Sequence, residues 1–481
     1  MKGLIFSIIV KNAWVGTSVP TLKRSKLITI LLVCVAMAAQ AQNSPEEKFN
    51  MAMYAVTNMY VDSVNKAKFV DEEIAKMLKS LDPFSEYLPP MTAKANEEAI
   101  LGLPSSPASS AGNTSSSESN APSSAGKVSS SSTPFVPSAS FGPSSIKYYY
   151  MADKTTGYIC LTMFSETTLN DFRKAVSELK KKGMKNLVLD LRANNGGLFD
   201  VAVALADEFL DGDKVIVQTQ GAHIPNEVYK AKNKGMMEKG KLVLLVSDLT
   251  KSAAEIFSAA IRDWDRGVLV GKTTFGKGLI QQTMPFSDGS ALRITVARYL
   301  TPAGMSIQKP YHGMVFADST KTWQSLRTHR LLRCQGGVSA DIDVNPSADY
   351  MTNWYSLLTY CGVQTAVAKK FVGDLKEKLL EKYPTSDKFI KEFQTTDDVM
   401  KAVCQTAEQA GIPMNLSDYA KSEDMVRVQM KAVICSQLYK DNNLYYKLFN
   451  SYNHVVNRAL EIINSKEYDL SLIHISEPTR P

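Results

Sequence analysis

Two short runs of apolar residues constrain this chain most. Asn186-Leu187-Val188-Leu189-Asp190-Leu191 and Leu242-Val243-Leu244-Leu245-Val246 lack a polar face. Such runs suit strands covered on both sides, and therefore a parallel sheet. Each precedes a turn and then an amphipathic stretch. One is Leu198 to Leu210, with Leu198, Val201, Ala202, Leu205 and Phe209 inward, and the other is Ala253 to Trp264. Ahead of them, Gly157 to Met163 reads as a strand and Leu169 to Lys182 as a helix with Phe172, Val176 and Leu179 on one face. Behind them, Gly267 to Val270 and residues 291–300, the latter after the turn Ser287-Asp288-Gly289, read as strands. This alternation predicts βαβ units around a mostly parallel sheet, an α/β core over 147–345.

The flanks differ from the core. Residues 42–103 have helical spacing (Phe49, Met53, Val56, then Ile74, Met77, Leu81) until Asp82-Pro83 and Pro89-Pro90 break it. Residues 104–146 are mostly Ser with Pro, Ala, Gly and Asn. Such a stretch cannot offset its ordering entropy, so it is expected to be a disordered linker spanning roughly 35 Å. Residues 346–468 read as a C-terminal helical domain, with Tyr360, Val367, Phe371 and Leu375 inward.

Residues 1–41 read as an export signal with an upstream extension. Lys23-Arg24-Ser25-Lys26 is basic, Leu27 to Ala38 apolar, and Ala39-Gln40-Ala41 a small-x-small cleavage site. An exported protein, periplasmic or in the cell envelope, is expected, membrane-tethered if the signal stays uncleaved. Residues 469–481, including Leu470-Ser471-Leu472-Ile473-His474-Ile475, match a translated sequencing adapter and are set aside. The formal net charge is +7, and removing the five cations of 1–41 leaves about +2, which argues against a nucleic-acid partner. The cysteines are dispersed, without CxxC or Cys/His clusters, so neither a zinc site nor any other metal or cofactor is expected.

Three segments carry candidate chemistry. Ser252 lies at the junction between an apolar strand and a helix, where free N–H groups favour developing negative charge. It also fits a helix N-cap, since Ser252-Ala253-Ala254-Glu255 has the capping-box pattern. A serine nucleophile needs a base, and no histidine stands in a motif. Lys277, in Thr273-Thr274-Phe275-Gly276-Lys277-Gly278-Leu279-Ile280-Gln281-Gln282, is the candidate, because burial would bring its pKa toward neutrality. The alternatives are a surface lysine in a glycine turn, or a phosphate loop whose spacing this segment does not meet. The third segment, Asp190-Leu191-Arg192-Ala193-Asn194-Asn195-Gly196-Gly197, either aims N–H groups at an oxyanion or is a tight turn with Arg192 paired to a carboxylate.

Together, DLRANNGG, TKSAAEI and TTFGKGLIQQ resemble the core of the carboxyl-terminal processing peptidases, Ser–Lys enzymes of crotonase/Clp-like α/β fold. Ser80-Leu81-Asp82-Pro83, Thr301-Pro302, Gly336-Gly337-Val338 and Asp341 extend the likeness over roughly 45–100 and 146–345. The resemblance implies Ser252 as nucleophile, Lys277 as general base and Gln281 as the residue orienting it. It also implies an oxyanion hole from the N–H of Ala253 and of Gly197, with Gly196 the alternate. Two features depart from the family. Lys251 precedes the nucleophile where Ala is usual, and either lowers the Lys277 pKa or points to solvent. The Ser-rich linker occupies the slot where relatives carry a PDZ domain.

The expected function is an exported serine endopeptidase acting on proteins or peptides through an acyl-enzyme. No cofactor is expected, and a homo-oligomer is left open. The alternatives are a catalytically inactive binding protein on the same fold, and an acyl-CoA hydratase or isomerase, which the export signal disfavours.

Overall fold

The computed structural model describes residues 44–93, 144–311, 322–333, 336–346 and 349–473. The signal reading, the Ser-rich segment up to 143 and residues 474–481 lie outside them. The chain divides into two units at Lys76/Met77. In the first, helix α1 (Pro45–Asn58) opens with Pro at its first turn. Ser44 and Glu47 cap it reciprocally at 3.1 and 3.2 Å. Helix α2 (Lys66–Lys79) crosses the boundary.

In the second unit the chain runs β1 (Glu86–Leu88), β2 (Ile146–Met151), β3 (Thr156–Leu161), α3 (Thr168–Lys181), β4 (Asn186–Asp190) and α4 (Phe199–Asp207). It continues β5 (Val215–Gln220), β6 (Val228–Lys230), β7 (Leu242–Val246), α5 (Ala253–Asp263) and β8 (Val268–Gly271). Then come β9 (Leu279–Pro285), β10 (Ala291–Leu300), β11 (Trp323–Gln324), β12 (Leu331–Leu332) and β13 (Ile342–Asp343). The C-terminal helices are α6 (Asn353–Tyr360), α7 (Val363–Lys382), α8 (Ser386–Glu392) and α9 (Asp397–Gln409), followed by α10 (Leu416–Tyr439), α11 (Asn442–Asn450), α12 (His454–Ile463) and α13 (Glu467–Ser471). The fold is thus mixed α/β with a C-terminal helical region, as the sequence pattern indicates.

The main sheet has the order β13-β8-β7-β4-β3-β2. All its pairs are parallel except β2 with β3. The apolar runs are buried on both faces, for a visible reason. Leu187, Leu189, Leu242, Leu244 and Leu269 pack with α3, α4 and α5 in one cluster. The intervening Val188, Val243, Leu245, Val268 and Val270 pack with Val455, Ala459, Ile462 and Tyr468 of α12 and α13 in another. Helices α6 to α11 build a separate core around Leu358, Val403, Val426 and Ile434. Leu472, inside the segment set aside as adapter-like, is buried in the α12–α13 cluster.

A second, antiparallel sheet was not anticipated beyond residues 291–300. Strand β10 carries β9 along one edge and β1, then β5, along the other, with β6 outside β5. The segment 273–282, read as one glycine turn, becomes strand from Leu279 onward and pairs Gln281 with Thr295. The main sheet starts at Ile146, the last residue assigned to the linker.

Among the described residues, no helix is long and apolar enough to cross a membrane. Cys160, Cys361, Cys404 and Cys435 are free thiols. Since α12 supplies much of the covering of one sheet face, Ile462→Ala, at a site with no solvent exposure, should cost about 2–5 kcal/mol. Urea denaturation measures this, and an unchanged midpoint would show that α12 does not cover the sheet in solution.

Candidate active site

Ser252 is the last residue before α5, and its backbone is unusual. Its φ is 53° and ψ −117°, a left-handed conformation that strains a residue with a Cβ by about 1–3 kcal/mol. The strain has a consequence for the cap. The Glu255 N–H, the usual target of a capping hydroxyl, donates to the Ser252 carbonyl at 2.7 Å. The Glu255 carboxylate reaches back to accept the Ser252 N–H at 2.9 Å. The capping-box pattern in the sequence is therefore used from its glutamate end.

Glu255 does more than cap. It is fully buried. Its Oε2 accepts the N–H of Ser252 and, at 2.8 Å, the N–H of Lys277. Its Oε1 accepts the Gly276 N–H at 2.7 Å and the Thr274 hydroxyl at 2.5 Å. One carboxylate thus fastens the candidate nucleophile's backbone to the candidate base's. Burial pushes the Glu255 carboxyl up, and the four donors pull it partly back. From the other side, the buried Tyr299 hydroxyl lies 3.1 Å from the Ser252 carbonyl and 2.9 Å from the Lys277 carbonyl. Neither Glu255 nor Tyr299 was singled out from the sequence. The Ser-x-x-Glu spacing signalled only a local cap.

Lys277 donates from Nζ to Gln281 Oε1 at 2.5 Å, and its ammonium stands 5.0 Å from the centre of the Phe84 ring. Gln281 is itself held, since its Nε2 donates to the Phe84 carbonyl at 2.6 Å. Phe84 directly follows the SLDP segment, whose Asp82 carboxylate accepts the N–H of Phe84 and of Ser85 at 2.8 and 2.7 Å. Burial first, and the Arg293 cation second, hold the Lys277 ammonium below the usual lysine value, while Glu86, Asp82 and Glu255 act against them. Arg293 pairs with Glu86 at 2.8 Å across β10 and β1. Lys251 is not the cation that acts here. Its ammonium stands 4.5 Å from the centre of the Phe275 ring.

The glycine turn meets Ser252 directly. A Cβ on Gly196 would lie 3.0 Å from the Ser252 Cβ and 3.2 Å from the Ala253 nitrogen. A Cβ on Gly197, at φ 139°, would lie 2.1 Å from the Phe164 carbonyl oxygen. The Gly196 N–H is consumed by Asn194 Oδ1 at 2.9 Å. Those of Gly197 and Ala253 have no hydrogen-bond partner among the described residues. Asn194, fully buried, also donates to the Leu161 carbonyl, and its own carbonyl accepts the Lys251 N–H, both at 3.0 Å. Arg192 takes the structural role open to it in the sequence. It forks onto Asp190 at 3.0 and 2.7 Å and reaches Asn453 at 3.0 Å. Asp341 is likewise structural, paired with Arg330. Among the described residues, no group of three or more His, Cys, Asp or Glu could hold a metal ion.

Comparison with known proteins agrees with this geometry. Residues 155–314 match the model of peptidase family S41, and residues 354–441 match a family of unknown function, DUF8443. The carboxy-terminal processing protease CtpA of Bacillus subtilis (strain 168) is 38% identical over 190 residues, covering 37% of this chain and 41% of that protein. The chloroplastic C-terminal processing peptidase of Tetradesmus obliquus is 42% identical over 160 residues, covering 33% of this chain and 34% of that one. The chain therefore spans less than half the length of either relative. The solved photosystem II D1 C-terminal processing protease overlaps 43% of this chain and 46% of its own, at 32% identity and a TM-score of 0.32. Residues 155–314 of this chain are a peptidase family S41 domain.

Proposed function

We propose that the chain is an exported serine endopeptidase that cleaves proteins or peptides with a Ser252–Lys277 dyad. The observation that carries this reading is the Glu255 carboxylate binding the N–H groups of both residues, while the Glu255 N–H is spent on the Ser252 carbonyl. In this reading neutral Lys277 accepts the Ser252 proton as the hydroxyl attacks the scissile carbonyl. Gln281 Oε1 fixes the amine's direction. The N–H groups of Ala253 and Gly197 receive the developing oxyanion, aided by the α5 N-terminus. The lysine then passes its proton to the leaving amine. A water molecule, deprotonated by the same lysine, releases the acyl group. The periplasm or cell envelope is the proposed compartment, on the strength of the basic-then-apolar segment in residues 1–41.

A fluorophosphonate probe should label Ser252. Ser252→Ala and Lys277→Ala should each abolish peptide hydrolysis with unchanged circular dichroism. Lys277→Arg should be equally inactive, since a guanidinium is no base near neutral pH. Wild-type turnover by Lys277→Arg would refute the dyad.

The pH dependence has a definite sign. The active form of Lys277 is the neutral one, so kcat/KM should rise with pH through an inflection below that of an ordinary lysine. Arg293→Ala removes a cation that lowers the Lys277 pKa and leaves Glu86 unpaired. Both changes favour the ammonium, so the inflection should move to higher pH. A pH–rate profile that stays put or moves down would contradict the electrostatic account.

Glu255→Gln turns an amide N–H toward groups that are themselves donors. It should cost roughly 1–3 kcal/mol in urea denaturation and slow labelling of Ser252. Wild-type values for both would show that the carboxylate does not hold the two loops together.

A further inference from the structure

Two cations beside the site take no part in the dyad. Lys251 immediately precedes Ser252, and Lys309 donates its backbone N–H to the Gly276 carbonyl at 2.9 Å. Their ammonium groups stand on the same ring, 4.5 and 5.8 Å from the centre of Phe275. Phe275 in turn packs edge-on to Phe84, 6.3 Å away, under the Lys277 ammonium. Lys251 is partly exposed and Lys309 exposed, and neither has an acidic partner among the described residues. An aromatic face gives an exposed ammonium only about 0.5–1 kcal/mol, so both retain an unmet demand for an anion.

The surroundings leave room for one. Lys309 also lines a cavity of about 690 Å³. The other cations of that cavity are partly spoken for. Arg262 is tied to Asp263, and Arg330 to Asp265 and Asp341, while Arg333 has no ion pair among the described residues. Beside the site itself, the shared Phe275 ring is what brings Lys251, next to Ser252, together with Lys309.

Building on the peptidase reading, we infer that Lys251 and Lys309 select substrates that place a carboxylate close to the scissile bond. An acidic side chain and a free C-terminal carboxylate carry the same chemistry here. In either case the lysines act on binding: they hold the peptide across Ser252 and leave the proton transfers to Lys277.

The test uses peptide pairs that differ only in charge. One arm compares Glu with Gln at successive positions around the cleaved bond, and the other compares a free C-terminal acid with its amide. The wild type should favour the charged member roughly five- to tenfold in kcat/KM, mostly through KM, with the advantage shrinking as salt is raised. A Lys251→Ala/Lys309→Ala variant should treat both members of each pair alike. The arm that shows the preference identifies the source of the carboxylate. Equal cleavage of all pairs by the wild type would overturn the inference and leave the peptidase reading intact. Binding of the same peptides to Ser252→Ala, by fluorescence anisotropy, separates the two claims. Tighter binding of the charged peptide, lost with both lysines, supports the inference even without turnover. Equal binding overturns it.

Discussion

The site is organised around one buried carboxylate. Glu255 accepts four donors from two places in the chain: the residue before α5, and the loop at Thr274 to Lys277, which supplies two N–H groups and the Thr274 hydroxyl. A charge with no access to water is stable only if its lone pairs are filled, and here they are filled by the N–H groups of Ser252, Gly276 and Lys277 and by the Thr274 hydroxyl. The Tyr299 hydroxyl, between the carbonyls of the same two residues, ties the other side of each peptide unit. The relative placement of serine and lysine is thereby a property of buried backbone, with their side chains left for chemistry. This also accounts for the strained φ of Ser252, which is held by the Glu255 bond on one side and by the start of a fully buried helix on the other.

The parallel sheet was legible because its strands have no polar face. Leu242 to Val246 is buried throughout and has the predicted ends. The antiparallel sheet was less legible. Its strands are partly exposed and irregular, with a bulge between Thr295 and Ala297, and glycine punctuation hid the start of β9. Ser252, Lys277 and Gln281 were singled out through motif, spacing and family resemblance, and the structure brings the lysine and glutamine into contact and the serine beside the turn at Gly196.

What the residues could not show was how the capping pattern is used. Ser-x-x-Glu predicts a reciprocal cap, whereas Ser252 sits at positive φ and its carbonyl accepts the Glu255 N–H. No residue type encodes that sign here, since the position is not glycine. The hub role of Glu255 was hidden for a related reason, because its further donors lie about 20 residues later. The reading of Lys251 was open between two roles, and the structure adds a third feature, the ammonium over the Phe275 ring.

The grip of Phe84 on Gln281 carries a further consequence. The bond joins positions 197 residues apart, from opposite sides of the Ser-rich segment, and rests on β1 lying against β10. During synthesis β1 emerges long before its partner strand exists. Gln281 therefore lacks its Phe84 anchor until β10 has been made and the early segment has returned to it, one of the slowest kinds of contact for a chain to close. The Lys277–Gln281–Phe84 arrangement is thus absent from the nascent polypeptide and forms only as β1 and β10 are brought together.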